Sequence, residues 1–404
     1  MRHSIPLSAL LALTLWSGGC STPVDEPGST LPGTCQANAP ILSAQKTDLL
    51  FVIDNSASMA EEQAAIATEL PAFLEELRRD NGLEQDFRVG VITTSVYLNA
   101  DINGHVQFSL YNDQAGRLQP VPDAQGRPTA ERYLEGTDPE LLEKFRRLVK
   151  QGTQGSGQET PFEAVRLAVT PPLSTAVVGA GGNGGFLRDG ARLVVVVVSD
   201  EEDCSSTQRP APVALTTDTS RDLCSEQAGQ LTPVQEYYQL FRGLVDGTGA
   251  TREVLWATIG PVGLTDKRAE LVTDTTSQGT FVRNADCPTS YGPGYRQREM
   301  ASLFDSGLRN LDSVCRASFR DTLVSIASVA RTSQSIEVMN LPDPRLALVR
   351  VTREDGSIQT CSVAGGDVSY VPSAQGRAAR LYFQSSCPRR LTDQKIEVKL
   401  LCAN

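Results

Sequence analysis

Apolar runs of strand length alternate with helix-spaced apolar positions along the middle of the chain. The candidate strands are the apolar runs at 48–54, 87–94, 193–198 and 254–259. The candidate helices, where apolar residues recur every three or four positions, are 60–79, 139–150, 162–169, 232–245 and 319–331. Continuous apolar runs are typical of parallel strands that are buried on both faces. The pattern therefore predicts an α/β fold with a Rossmann-like, doubly wound and mostly parallel sheet over residues 46–332.

The pattern changes within this region and at both of its ends. Residues 96–136 are polar and contain Gly and Pro, so we expect an insert on the rim of the sheet. Residues 20–45 are rich in Pro, Ser, Gly and Thr, which is typical of a flexible tether. Over 333–404, short strand candidates are separated by turn signals without a helical pattern, which predicts a small β-rich C-terminal module.

The N-terminus has the pattern of an export signal. Arg2 and His3 precede an apolar segment at 5–16, so residues 1–19 are predicted to be a signal peptide. Ser17-Gly18-Gly19-Cys20 resembles a bacterial lipoprotein processing site, which would leave Cys20 as a lipidated first residue. Cleavage with an unmodified Cys20 is the alternative. We therefore expect a lipid-anchored protein of the cell envelope, at the outer membrane, facing the periplasm or the cell surface.

The composition of the chain disfavours two classes of function, nucleic-acid binding and histidine-based catalysis. The formal net charge is −11, which disfavours binding to nucleic acid phosphates. The chain has two histidines, His3 and His105, and His3 leaves with the signal peptide, so a histidine-based catalytic site would rest on His105 alone. We expect a protein that is not an enzyme.

The cysteines indicate an oxidising compartment. Of the nine, eight are left if Cys20 carries lipid, and an even number is typical of disulfides in an exported protein. No Cys-x-x-Cys spacing points to zinc or iron–sulfur binding. Spacing alone leaves the pairing open. The pairings that we favour are Cys204–Cys224, Cys287–Cys315, Cys361–Cys387 and Cys35–Cys402.

The segment Asp54-Asn55-Ser56-Ala57-Ser58 follows the first predicted strand and places three oxygen-bearing side chains at alternate positions. Ligands of open α/β sheets bind at the carboxyl ends of the strands, and hard cations prefer oxygen ligands. The motif therefore predicts a metal site at the rim of the sheet. The alternative is helix capping, with Ser58 as the N-cap and Glu61 three residues later.

Two further segments extend this motif. Asp200 follows the strand at 193–198 and begins an acidic run to Asp203, and the glycine-bearing loop 155–161 opens a predicted helix. Together the three segments resemble the von Willebrand factor type A (VWA) domain, whose metal-ion-dependent adhesion site uses Asp-x-Ser-x-Ser, a loop threonine and a later aspartate. The resemblance covers roughly residues 46–332. The ligands that it implies are Asp54, Ser56, Ser58, Thr160 and Asp200, with Glu159 as an alternative to Thr160. The remaining acids, Glu201, Glu202 and Asp203, are expected to be solvated or to set the local field, with a second cation as the alternative.

The resemblance also implies the chemistry of the site. The cation would be Mg²⁺ or Mn²⁺, with Ca²⁺ as a further candidate, and a carboxylate from a protein or extracellular ligand would replace a bound water. This is adhesion chemistry. Residues 199–204 are also similar to a segment of predicted myxobacterial and other deltaproteobacterial cell-surface lipoproteins. The alternatives are an envelope scaffold whose metal site is vestigial or purely stabilising and, with less support, a metal-dependent hydrolase.

Overall fold

The computed structural model describes residues 45–79, 85–277, 279–332, 335–374, 378–390 and 392–401, together with the backbone of Thr34–Cys35. The expected signal peptide, Cys20 and most of the expected tether lie outside the described residues. The strands are β1 (Thr34–Cys35), β2 (Gln45–Ile53), β3 (Gln85–Thr93), β4 (Tyr97–Ile102), β5 (His105–Leu110), β6 (Tyr133–Glu135), β7 (Arg192–Val198), β8 (Val254–Gly260), β9 (Leu271–Thr276), β10 (Gly279–Asn284), β11 (Leu311–Ser313), β12 (Ser335–Val338), β13 (Ala347–Thr352), β14 (Ile358–Ser362), β15 (Val368–Val371), β16 (Ala379–Phe383) and β17 (Lys395–Leu401). The α-helices are α1 (Ala60–Leu77), α2 (Leu141–Leu148), α3 (Pro161–Val169), α4 (Leu223–Glu226), α5 (Val234–Arg242), α6 (Tyr295–Phe304) and α7 (Arg320–Arg331).

A six-stranded sheet in the order β11-β8-β7-β2-β3-β6 forms the centre of the fold. The first five strands are parallel, and β6 pairs with β3 in the antiparallel direction. The α/β fold predicted from the sequence is confirmed. One strand, β6, comes from the segment that we expected to be a rim insert, and it joins the sheet with Leu134 buried in the core.

The apolar character of β2 follows from burial on both faces of the sheet. Leu49, Phe51 and Ile53 belong to one hydrophobic cluster, which includes residues of α1, α2 and α7. Leu50 and Val52 belong to the other, which includes residues of α3, α5 and α6. Alternate side chains of a strand point to opposite faces, so a strand covered on both sides needs apolar residues at every position.

The order of the strands places a switch point beside β2. From β2 the chain continues to β3 on one side, while β7 pairs with β2 on the other. A crevice forms outside the carboxyl ends of the strands where the order reverses in this way. The register aligns Ile53 with Val198, so the residues that follow β2 and β7 emerge side by side at this point.

Several elements have no clear signal in the sequence. The hairpins β4–β5 and β9–β10 lie outside the central sheet. In β9 five of the six residues are exposed, so the strand shows no apolar period that could predict it. Helix α6 is similarly polar, although Met300 and Ala301 are buried.

The C-terminal residues form two antiparallel sheets, β1-β17-β13-β14 and β12-β16-β15. Their shared core includes Ile336, Val349 and Leu381, all fully buried. Thr34–Cys35, within the segment expected to be a tether, pairs with β17.

Three of the favoured cysteine pairs are disulfides in the structure. They are Cys204–Cys224, Cys287–Cys315 and Cys361–Cys387, with Cα–Cα distances of 5.0, 5.4 and 6.3 Å. The fourth favoured pair, Cys35–Cys402, cannot be compared, because Cys402 and the side chain of Cys35 lie outside the described part of the chain. In the described part of the chain, no helix has the length and apolar character needed to cross a bilayer.

Candidate functional site

The segment that joins β2 to α1 fixes the position of the Asp54 carboxylate. The Asp54 N–H donates to the Val198 carbonyl over 2.9 Å, which continues the pairing with β7 for one residue beyond β2. The carboxylate is fully buried. Oδ1 accepts from the Ser56 N–H over 2.8 Å, and Oδ2 accepts from the Ser199 hydroxyl over 2.6 Å. Asp54 is therefore held rigidly at the switch point, with hydrogen bonds to both oxygens.

A chain of hydroxyls connects this segment to the end of β7. The Ser56 and Ser58 hydroxyl oxygens are 3.0 Å apart, and the Ser58 hydroxyl donates to Asp200 Oδ1 over 3.2 Å. Ser56 and Asp200 are buried and Ser58 is half-buried. The structure thus brings four of the five implied ligands, Asp54, Ser56, Ser58 and Asp200, into one hydrogen-bonded group.

The capping alternative for Ser58 is wrong. The N-cap residue of α1 is Met59, and no side chain caps this helix end. The Ser58 hydroxyl is directed to Asp200 instead of the first turn of α1. A structural role at the helix start therefore does not account for the second serine of the motif.

The loop before α3 packs closely on the segment after β2. The Gly155 N–H donates to the Asn55 carbonyl over 2.8 Å. A Cβ atom on Gly155 would lie 2.2 Å from Asn55 Oδ1 and 2.6 Å from the Ser95 hydroxyl, so only glycine fits here. This close approach places the residues that follow Gly155 beside the carboxyl ends of β2 and β3.

The two candidate loop ligands have different surroundings. The Thr160 hydroxyl donates to the Thr94 carbonyl over 2.6 Å. Glu159 is 1% exposed, and neither of its carboxylate oxygens has a hydrogen-bond partner of good geometry. The Glu159 carbonyl accepts from the Cys204 N–H over 2.7 Å, so the loop is attached to the start of the segment that the Cys204–Cys224 disulfide closes.

Burial and mutual repulsion raise the pKa values of the acids at this point. Burial raises the pKa of Asp54, against the hydrogen bonds from Ser199 and Ser56. The pKa values of Asp200 and Glu159 are raised well above their usual range, first by burial and then by the charge of Asp54. Burial and mutual repulsion therefore disfavour the charged forms of several neighbouring carboxyl groups. A bound cation would stabilise those charged forms.

Two of the four acids in the run after β7 have structural roles. The Glu202 carboxylate accepts from the backbone N–H groups of Tyr295 and Arg296 at the start of α6, over 2.6 and 3.0 Å. Asp203 pairs with the Arg296 guanidinium over 2.8 Å, and both acids are buried. The expectation that Glu202 and Asp203 are solvated is wrong, because α6, which the sequence did not reveal, packs over them.

The donor set fits a hard divalent cation. It consists of carboxylate and hydroxyl oxygens, which such cations prefer. The Glu159 carboxylate, which is buried without a hydrogen bond of good geometry, is a group of the kind that a cation would satisfy. Across the described residues, no three His, Cys, Asp or Glu side chains are already grouped as a metal site, and the ligand set implied by the resemblance contains only two carboxylates.

Some residues that build the site were not predicted. Ser199 holds Asp54, and its position between an apolar strand and Asp200 is a signal that could have identified it. Gln63 donates to the Asp54 and Gly152 carbonyls over 2.8 and 2.9 Å and ties α1 to the loop before α3. Asn55 accepts from the Ser95 hydroxyl over 2.8 Å. Gln63 and Ser95 gave no signal, because their roles depend on contacts between distant segments.

The sequence matches no protein-family model and no curated protein. Among solved structures, the chain is similar to a von Willebrand factor type A protein from Catenulispora acidiphila, with a TM-score of 0.34, 11% identity, and coverage of 90% of this chain and 60% of that one. It is also similar to the pilus adhesin SpaC from Lactobacillus rhamnosus GG, with a TM-score of 0.32, 11% identity, and coverage of 89% and 39%. Proximal thread matrix protein 1 from the mussel byssus has a TM-score of 0.30 and 13% identity, with coverage of 72% and 49%. The chain spans less than two thirds of each of these structures, and likeness at this level carries no conclusion about what the chain binds.

Proposed function

We propose that the chain is a cell-envelope binding protein with a VWA-like domain, which holds a divalent cation and binds a protein or extracellular ligand through it. The cation is Mg²⁺ or Mn²⁺, with Ca²⁺ as a further candidate. The residues that would hold it are Asp54, Ser56, Ser58 and Asp200, with Thr160 or Glu159 from the loop before α3. When bound, the cation supplies a positive charge that a carboxylate of the ligand can approach.

The observation that carries this proposal is the hydrogen-bonded group of Asp54, Ser56, Ser58 and Asp200 at the switch point of the sheet. Residues 142 positions apart contribute oxygens to the same small region. The two carboxylates would offset a double positive charge, and the hydroxyls add neutral ligands, so the cation keeps its attraction for an outside oxygen.

Two observations favour binding over catalysis. The donors to the Asp54 carboxylate are the Ser199 hydroxyl and the Ser56 N–H, which hold it in place as a cation ligand. His105 is exposed at the start of β5, in the β4–β5 hairpin outside the central sheet. We therefore propose no catalytic step for this site.

The location in the envelope is part of the same proposal. Three disulfides support an oxidising compartment. Lipid attachment at Cys20 and residence at the outer membrane rest on the sequence pattern. Mass spectrometry of the mature N-terminus would test the lipid attachment, and the proposal predicts an acylated cysteine as the first residue.

Thermal unfolding of the full chain with intact disulfides tests the metal site. A cation that binds only the folded state stabilises it by roughly 2.7 kcal/mol at a hundredfold excess over its dissociation constant. We expect Mg²⁺ or Mn²⁺ to raise the unfolding temperature relative to EDTA, and we expect Asp54→Asn to lose this increase. Asp48→Asn is the matched control, because Asp48 is also fully buried and lies on β2 at the end remote from the site.

The control is expected to unfold at a lower temperature but to keep the metal-induced increase. If no cation stabilises the wild-type chain, the metal-dependent function is wrong and the scaffold alternative is favoured. If Asp54→Asn keeps the whole increase, a cation binds elsewhere and the proposed site is wrong.

A further inference from the structure

Two buried glutamates, four residues apart, differ sharply in their partners. Glu163 is fully buried on α3, and its carboxylate accepts from Arg166, Arg209 and the Tyr237 hydroxyl over 2.6 to 3.0 Å. Glu159 is 1% exposed, and its oxygens have no such partner. Of the described residues, Glu159 alone has two buried carboxylate oxygens without a hydrogen bond of good geometry, and its polar neighbours include the Thr94 hydroxyl and the Asp54 carboxyl.

Such a group needs an explanation, because a buried carboxylate destabilises the folded protein when it is charged and has no cationic partner. Packing does not require a glutamate at this point, since the loop is held through the backbone carbonyl of Glu159 and the Cys204 N–H. The neighbouring acids Asp54, Glu201 and Asp200 add to the cost of a negative charge on Glu159. A cation between these acids would pair with the buried Glu159 charge and would also offset the repulsion between the acids.

We infer that Glu159, and not Thr160, supplies the loop ligand, which makes the cation site one with three carboxylates. This inference rests on the proposed function and assigns the ligand that the resemblance leaves open. The Thr160 hydroxyl donates to the Thr94 carbonyl, and its oxygen carries no charge that a cation would have to offset. In the present arrangement Asp54, Asp200 and Glu159 are not grouped as a metal site. Like charges repel, so the cation would draw the carboxylates together as it binds.

A third carboxylate changes what the site can do. Asp54, Asp200 and Glu159 together carry more negative charge than a divalent cation neutralises. The site therefore holds its cation without a ligand protein, and a carboxylate of the ligand would reach the cation by replacing Glu159 instead of adding a fourth negative group. Removal of the Glu159 charge should stabilise the metal-free protein, because repulsion from the neighbouring acids is lost. It should destabilise the metal-bound protein, because the cation loses a ligand.

The experiment compares Glu159→Gln, Thr160→Val and Glu163→Gln in the full chain. Unfolding temperature is measured in EDTA and in Mg²⁺ or Mn²⁺, and the affinity for Mn²⁺ is measured by isothermal titration calorimetry. We expect Glu159→Gln to unfold at a higher temperature than wild type in EDTA and to bind Mn²⁺ at least about tenfold more weakly. Glu163→Gln is the matched control. It should lower the unfolding temperature in EDTA, because it weakens the bonds to Arg166 and Arg209, and it should leave the Mn²⁺ affinity unchanged.

The Thr160→Val result decides between the two candidate ligands. We expect it to lower the unfolding temperature in EDTA, because the Thr94 carbonyl loses a donor, and to leave Mn²⁺ affinity unchanged. Loss of Mn²⁺ affinity in Thr160→Val with wild-type affinity in Glu159→Gln would overturn the inference and leave the proposed function standing. Absence of Mn²⁺ binding by the wild-type chain would instead refute the proposed function. Glu159→Ala, which removes the carboxylate without adding an amide, replaces Glu159→Gln if that variant does not fold.

Discussion

The Ser58 hydroxyl donates a hydrogen bond to Asp200 Oδ1 over 3.2 Å, and this contact joins the segment after β2 to the segment after β7. The two residues are 142 positions apart in the chain. They meet because β2 and β7 are parallel neighbours in register, so both strands end at the same edge of the sheet. A hydroxyl and a carboxylate from separate segments thus face the same small volume, as a shared cation would require.

Substitution of Ser58 tests whether this contact serves a cation. We expect Ser58→Ala to reduce the metal-induced rise in unfolding temperature, because one neutral ligand is lost. In EDTA it should cost only about 0.5–1.5 kcal/mol, the usual contribution of one hydrogen bond. Ser302→Ala is the control, since Ser302 is also half-buried and its hydroxyl donates to the Glu299 carbonyl within α6. Equal metal-induced shifts in the two variants would show that Ser58 is not a ligand.

Two glycines of the same loop should respond differently to an added methyl group. A Cβ on Gly155 would meet Asn55 Oδ1 at 2.2 Å, whereas a Cβ on Gly157 would meet nothing within 4 Å. We expect Gly155→Ala to lower the unfolding free energy by about 1–3 kcal/mol through overpacking and to weaken Mn²⁺ binding, because the loop must move away from Asn55. Calorimetric titration with Mn²⁺ measures the second effect. Gly157→Ala should change neither quantity, and a wild-type affinity in Gly155→Ala would contradict the role given to the loop.

Two disulfides that close segments of similar length should differ in their effect on the site. Removal of Cys204–Cys224 or Cys361–Cys387 by paired serine substitutions is expected to cost about 2–5 kcal/mol in each case. Only the loss of Cys204–Cys224 should also weaken Mn²⁺ binding, because the Cys204 N–H holds the Glu159 carbonyl. Cys361–Cys387 lies in the C-terminal core and serves as the control. A similar loss of Mn²⁺ affinity in both double variants would indicate general destabilisation instead.

The ion pair at the other end of β2 should contribute to stability without affecting the site. The Arg188 side chain and backbone N–H both donate to the fully buried Asp48 carboxylate over 2.8 Å. Removal of one partner of a buried ion pair costs about 3–5 kcal/mol. Arg188 also pairs with Asp86 and so keeps one partner when Asp48 is replaced. We therefore expect Asp48→Asn to lower the unfolding free energy by about 3 kcal/mol, as measured by urea denaturation. A loss of Mn²⁺ affinity in this variant would contradict the separation of the two ends of the strand.

The helices and strands that were predicted from the sequence are the ones with well-buried side chains. Strands β2, β7 and β8 and helices α1, α3 and α7 were identified from their apolar patterns, because each contributes apolar residues to the central core. Hairpin β9–β10 and helix α6 escaped prediction, since their exposed positions break the apolar period. Strand β6 was assigned to an insert because three residues are too short a segment to show a pattern.

The sequence by itself determined the α/β class, the serine motif at the end of β2, and a set of nine cysteines that suits an oxidising compartment. These features are local, because strand burial and motif spacing are read over a few consecutive residues. Only the tertiary structure decided that Ser58 contacts Asp200, that Glu202 and Asp203 support α6, and that the Glu159 carboxylate is buried without a hydrogen bond of good geometry. Those contacts join residues tens to more than a hundred positions apart. The physical reason is that a side chain's charge and partners depend on which distant segments surround it after folding, and hydrophobic periodicity carries no information about that environment.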